Sequence, residues 1–95
     1  MAAGPPYPSP FLLPATLDTR AAGPLRDALL ARRGEPLALD GGEVGRLGGL
    51  CLEVLLSARR RWAADGLPFA LRGASDPLRE ALALFGAAEL LGDAA

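Results

Sequence analysis

Short apolar runs alternate with amphipathic stretches along this chain: Phe11-Leu12-Leu13, Leu37-Ala38-Leu39 and Phe69-Ala70-Leu71 each precede a segment whose apolar residues recur at helical spacing. The connections between them are short. A strand that reaches the next strand through one helix and a few turn residues does so by a right-handed crossover, which lays the strands parallel and packs the helices on the sheet. The expectation is therefore a single small α/β domain, with a mostly parallel sheet of about four short strands and roughly three to four helices. A length of 95 residues leaves no room for a second domain.

Residues 1–10 hold four of the nine prolines. Proline fixes φ and lacks a backbone donor, so this segment is expected to be an extended, mobile arm ahead of a domain over residues 11–91, with a short tail at 92–95. Pro14 splits the run Phe11 to Leu17 into one kinked strand or two pieces and argues for a sheet edge. The spacing of Leu25, Ala28 and Leu29 predicts a helix from about Thr19 to Arg33, capped by Thr19, or by Gly23 with Pro24 at the first helical position, and stopped at Gly34. Pro36 to Leu39 is the next strand, and Asp40-Gly41-Gly42 a turn. A leucine-rich helix over Leu50 to Ala64 ends at Asp65-Gly66, and Leu67 to Leu71 forms another strand. Asp76 is expected to cap a third helix with Pro77 in its first turn, burying Leu78, Ala81, Leu82 and Phe85. Gly86 ends it, and Ala88 to Leu91 add a turn.

Several classes of chemistry are disfavoured by what is missing. The chain has no His, which removes the commonest general base near neutral pH and the commonest metal ligand. Ten Arg against eleven acidic residues give a net charge of -1, which does not recruit nucleic acid. The single Cys51 forms no internal disulfide, which suits a reducing cytoplasm. The first residues lack a basic signal-peptide region, and no apolar run approaches the roughly 20 residues of a membrane helix. No cofactor, metal or catalytic residue is expected, and the address is expected to be cytoplasmic. Cys51 in a helix first turn is a conceivable nucleophile, so a small cysteine-dependent enzyme stays open as a third reading, but a buried thiol is the commoner fate of a free cysteine.

Two features suggest binding. The segment Gly41 to Gly49 carries five glycines in nine residues, so its backbone can approach a ligand or partner closely, or simply be a flexible connection. It lacks the Lys and hydroxyl of a phosphate loop. The second helix has more apolar positions than one sheet face requires, leaving Glu53, Ser57, Arg60 and Arg61 as its polar stripe. Part of that surplus is expected at a docking surface, with Leu50 as the exposed member. The basic run Arg59-Arg60-Arg61 complements the helix C-terminus, or meets an acidic partner.

The run Leu12-Leu13-Pro14-Ala15-Thr16-Leu17-Asp18, the segment Leu37 to Leu52 and the end Ser75-Asp76-Pro77-Leu78-Arg79-Glu80-Ala81-Leu82 resemble the STAS family, the sulfate-transporter and anti-sigma-antagonist domains. The resemblance spans roughly residues 11–91. It implies a non-catalytic adaptor in bacterial signalling, anti-sigma antagonist-like or chemotaxis-associated, or else the accessory STAS subunit on the ATPase of an ABC-type lipid transporter. It further implies a protein partner, a kinase or anti-sigma-like protein in the first case, held through Gly42, Glu43, Val44, Gly45, Arg46, Leu47, Gly48, Gly49, Leu50 and Glu53. Switching members of the family carry an Asp and a phosphorylated Ser or Thr at the start of the second helix. The matching positions here are Gly48 and Gly49, a degenerate phosphosite with no hydroxyl.

Overall fold

A computed structural model describes residues 9–92, so most of the arm at 1–10 and the last three residues lie outside the described residues. Among the described residues five strands and three helices follow one another as β1 (Phe11–Leu12), β2 (Thr16–Leu17), α1 (Thr19–Leu30), β3 (Leu37–Asp40), β4 (Arg46–Leu47), α2 (Gly49–Ala64), β5 (Phe69–Arg72) and α3 (Asp76–Leu84), with a closing 3₁₀ turn at Ala88–Leu91. Every pairing is parallel, as the crossover rule requires, but the strands form two sheets: β1-β3-β5 and β2-β4. β3 sits between its neighbours, with Leu39 opposite Phe11 on one side and Leu71 on the other. Its consecutive Leu37, Ala38 and Leu39 are all buried, as suits a strand covered on both faces.

Pro14 explains why the first run becomes two strands in two sheets. The ladder of β1 closes where Leu13 N–H donates to the Asp40 carbonyl at 2.9 Å, and Pro14 has no N–H to continue it. The chain steps across and resumes beside β4, where the Ala15 carbonyl accepts from both Gly45 and Arg46. β4 itself arises inside the stretch read from sequence as a loop. At the facing step, Gly41 is glycine for lack of space: a Cβ there would stand 2.5 Å from Cδ2 of Leu78, which is fully buried and cannot swing away.

Two helix starts differ from expectation. Asp18, not Thr19 or Gly23, caps α1, its carboxylate accepting from Ala21 N–H at 3.1 Å. Pro24 consequently lies inside the helix. Gly23 before it eases this, because a residue with a Cβ is disfavoured in helical conformation ahead of proline. Ser75, not Asp76, caps α3, accepting from Leu78 N–H at 3.2 Å, which moves Asp76 and Pro77 into the first turn. Leu78 and Leu82 are buried as expected, but Phe85 is exposed, since α3 ends there and Gly86 turns the chain with φ +70°. One continuous core runs from Leu13 and Leu17 through Leu29, Leu39, Leu55 and Trp62 to Leu82 and Leu90, with no buried polar or charged side chain among the described residues.

Candidate functional site

The glycine-rich segment is pinned at many points. Gly42 N–H donates to the Asp40 carboxylate at 2.9 Å, Gly45 N–H to the Ala15 carbonyl at 2.8 Å and Gly48 N–H to the Leu17 carbonyl at 2.8 Å. Ser75 holds it from the other side: its N–H donates to the Gly41 carbonyl at 3.0 Å and its hydroxyl to the Val44 carbonyl. A segment so anchored is a shaped surface and not a slack connection. Its N–H groups at positions 42, 45 and 48 are already spent on protein acceptors, which leaves them unable to cradle a phosphate.

The residues expected at a docking surface divide into two sets. Gly42, Glu43, Gly45, Arg46, Gly49, Leu50 and Glu53 are exposed, and Gly48 is half-buried. Val44 and Leu47, expected at that surface, are core residues at 1% and 7% exposure: β4 pairs with β2 and turns Leu47 inward, while Val44 is held in the preceding turn by its N–H to the Gly41 carbonyl and by the Ser75 hydroxyl on its carbonyl. They shape the segment from beneath and cannot themselves be contacts.

Most of the apolar surplus of α2 is covered. Cys51, Leu52, Leu55, Ala58 and Trp62 are buried, and Val54 and Leu56 pack partly against the core. Leu50 remains, 53% exposed, in the first turn of the helix and directly after the glycine-rich segment. Gly48 caps this helix with no side-chain hydrogen bond, and neither Gly48 nor Gly49 has a hydroxyl to phosphorylate. Ser57 lies two turns further along the helix and on the groove described below.

Cys51 is fully buried and its thiol donates to the Asp18 carbonyl at 3.2 Å. Burial first, and then the nearby Asp18 carboxylate, push its pKa upward, against the pull of the helix dipole toward a thiolate. Such a thiol is held as a packed donor and is poorly suited to nucleophilic work. Asp18 and Asp40, the carboxylates near strand ends, serve as a helix cap and a turn acceptor.

Sequence reasoning missed the contribution of α1. A groove of about 760 Å³ runs between α1 and α2, with Leu50 and Glu53 near one end and Arg33 and Asp65 at the other. The two helices follow parallel strands and run side by side, and a 3.3 Å contact between Arg33 and Asp65 ties their C-terminal ends together. Leu30, 37% exposed, and Leu29 line the α1 wall. The available signal was Leu30 itself, apolar beside Leu29 and so set around the helix from the Leu25 and Leu29 stripe. The far end of the groove is firm, because Trp62 beneath it donates from Nε1 to the Glu35 carbonyl at 2.7 Å and tilts against Phe69.

Comparison with known proteins bears on this arrangement. A search of the curated proteins returned no match. A family model described as "Mlab, STAS domain" matches residues 13–92, which takes in the four strands β2 to β5, all three helices and the 3₁₀ turn. Parallel strands, helices in this order, and a shaped segment leading into the second helix accord with that match, and the chain belongs to the STAS domain family.

Proposed function

We propose that this protein is a non-catalytic adaptor of a bacterial regulatory system that grips a protein partner through the surface formed by Gly42, Glu43, Gly45, Arg46, Gly48, Gly49, Leu50 and Glu53. A general STAS-type regulatory or binding role comes with the family. The observation that carries the more specific reading is Leu50, a large apolar side chain left exposed at the junction of a rigidly held segment and a helix. A rigid scaffold lowers the ordering cost of association, and an apolar anchor among polar neighbours is a usual centre of binding energy. Because Gly48 and Gly49 cannot be phosphorylated, the docking is constitutive and not gated by a kinase.

A second reading has support of its own. The STAS resemblance also allows a subunit seated on the ATPase of a lipid-transporting ABC complex, and a surface whose Gly48 and Gly49 offer no phosphorylatable hydroxyl suits such a permanent subunit. Affinity purification from the native cell followed by identification of the bound chain separates the two. Leu50→Asp tests the surface in either case. At an exposed position the substitution leaves folding within about 0.5 kcal/mol. It places an unpaired charge in a desolvated contact and is expected to abolish capture of the partner. A folded variant that captures the partner normally removes this surface from the interface.

A further inference from the structure

The groove between α1 and α2 has an apolar floor and an unbalanced rim. Leu29, Leu30, Leu50 and Val54 supply the floor. Of the charged groups on the rim, Arg33 and Asp65 satisfy each other at 3.3 Å. Arg26, Arg60 and Arg61 then face Glu53 alone, an excess of two positive charges (three minus one) on a chain whose net charge is -1. Arg60 donates to the Ser57 hydroxyl at 3.3 Å, a neutral acceptor that leaves its charge uncompensated.

From this charge asymmetry we infer that the groove receives an amphipathic helix of the partner, with an apolar stripe flanked by Asp and Glu. The inference rests on the reading of α2 as a docking surface and extends that surface across to α1. Shape supports a helix. The lining follows α2 from Leu50 to Asp65, and at about 1.5 Å per residue this is a trough of roughly 22 Å, long enough for four turns of a third helix. A stripe with apolar anchors at every third or fourth position fits such a trough, as in other helix-in-groove complexes. A concave trough is a poor match for a flat bilayer.

The probe is a synthetic helical peptide of about 16 residues with a leucine stripe and Glu flanks, compared with a twin carrying Lys flanks. Binding to the full chain is followed by fluorescence anisotropy, and the site by chemical-shift changes. The Glu peptide is expected to bind saturably, at least about tenfold more tightly than its twin, and to weaken as salt rises. Arg26→Glu with Arg60→Glu should erase or invert that preference, and Ser57→Phe, at an exposed position on the groove wall, should block binding without altering the thermal midpoint. Binding of neither peptide, or equal binding of both, overturns the inference. So does binding to vesicles containing phosphatidylserine in preference to the Glu peptide. With the cellular partner, loss of capture by Leu50→Asp but not by the Arg26/Arg60 or Ser57 variants would leave the docking surface standing and sink the acidic helix. Charge-selective peptide binding together with normal capture by Leu50→Asp would do the reverse.

Discussion

Cys51 shows most directly how environment settles the chemistry of a residue. Its position in the third residue of α2 invites a lowered pKa through the helix dipole, yet its complete burial and its donation to the Asp18 carbonyl hold the proton on sulfur. The pH dependence follows in sign. A thiol whose folded pKa lies above its unfolded value of about 8.5 retains its proton in the folded chain while the unfolded chain loses it. Stability is therefore unaffected by this group below about pH 8, and falls as pH rises past the unfolded pKa by up to about 1.4 kcal/mol per unit. The sequence makes this unusually easy to see. With no Lys and a single Tyr in the chain, few groups compete with the thiol in that range. Urea denaturation from about pH 7 to 10 should show the decline in the native protein and its loss in Cys51→Ala, beyond the constant cost of the smaller side chain. A wild-type curve parallel to that of the variant would mean the thiol ionises as readily folded as unfolded.

At the scale of elements, what the sequence disclosed and what it withheld have different physical origins. Helices and strands were legible because their signals are local: Leu25 and Leu29 at one-turn spacing, the unbroken Leu37-Ala38-Leu39, the Asp65-Gly66 stop. β4 was not, because two residues whose only ladder partners lie in Thr16–Leu17 carry no periodicity of their own, and pairing across some 30 positions is a tertiary fact. Val44 and Leu47 were assigned to the docking surface for the same reason, since nothing near them in sequence reveals that β2 draws Leu47 inward or that Ser75 holds the Val44 turn against the core. Thr19 and Asp76 each missed the cap by one residue, within the ordinary uncertainty of helix ends, and the Gly23 alternative by five, but the displacement matters most for α3. Ser75 both caps that helix and donates its hydroxyl to the Val44 carbonyl, so it couples α3 to the glycine-rich segment. Ser75→Ala removes the cap and orphans that carbonyl. A loss of about 1–2 kcal/mol is expected, against a few tenths for Asp76→Ala, both measured by chemical denaturation. Equal losses would return the cap to Asp76. Faster amide exchange at Gly45 in the Ser75 variant would register the loosened segment directly.

The molecule as a whole draws its stability from a core without polar anchors. Buried residues from both sheets and all three helices belong to one cluster, and Trp62, a member of it, also fixes the Glu35 carbonyl of the connection after α1. Neither ion pair between described side chains adds much, since Arg33 with Asp65 and Arg59 with Glu89 both lie in partial contact with solvent. A domain held by one contiguous apolar cluster should lose it all at once, even though its strands are divided between two sheets. The division matters, because β2 and β4 contribute only two residues each to their ladder and would not persist alone. Leu17 and Leu47, one from each, are nevertheless buried in the common core, which binds the small sheet to the fate of the large one. Trp62, the chain's only tryptophan, reports on packing around α2 and β5, whereas far-ultraviolet circular dichroism reports on all three helices. Urea titrations followed by both signals should superimpose on a single transition with the same midpoint and slope. A tryptophan transition that precedes the loss of helix would show that the α1–α2 layer loosens on its own, and a groove built from that layer would then be flexible instead of preformed.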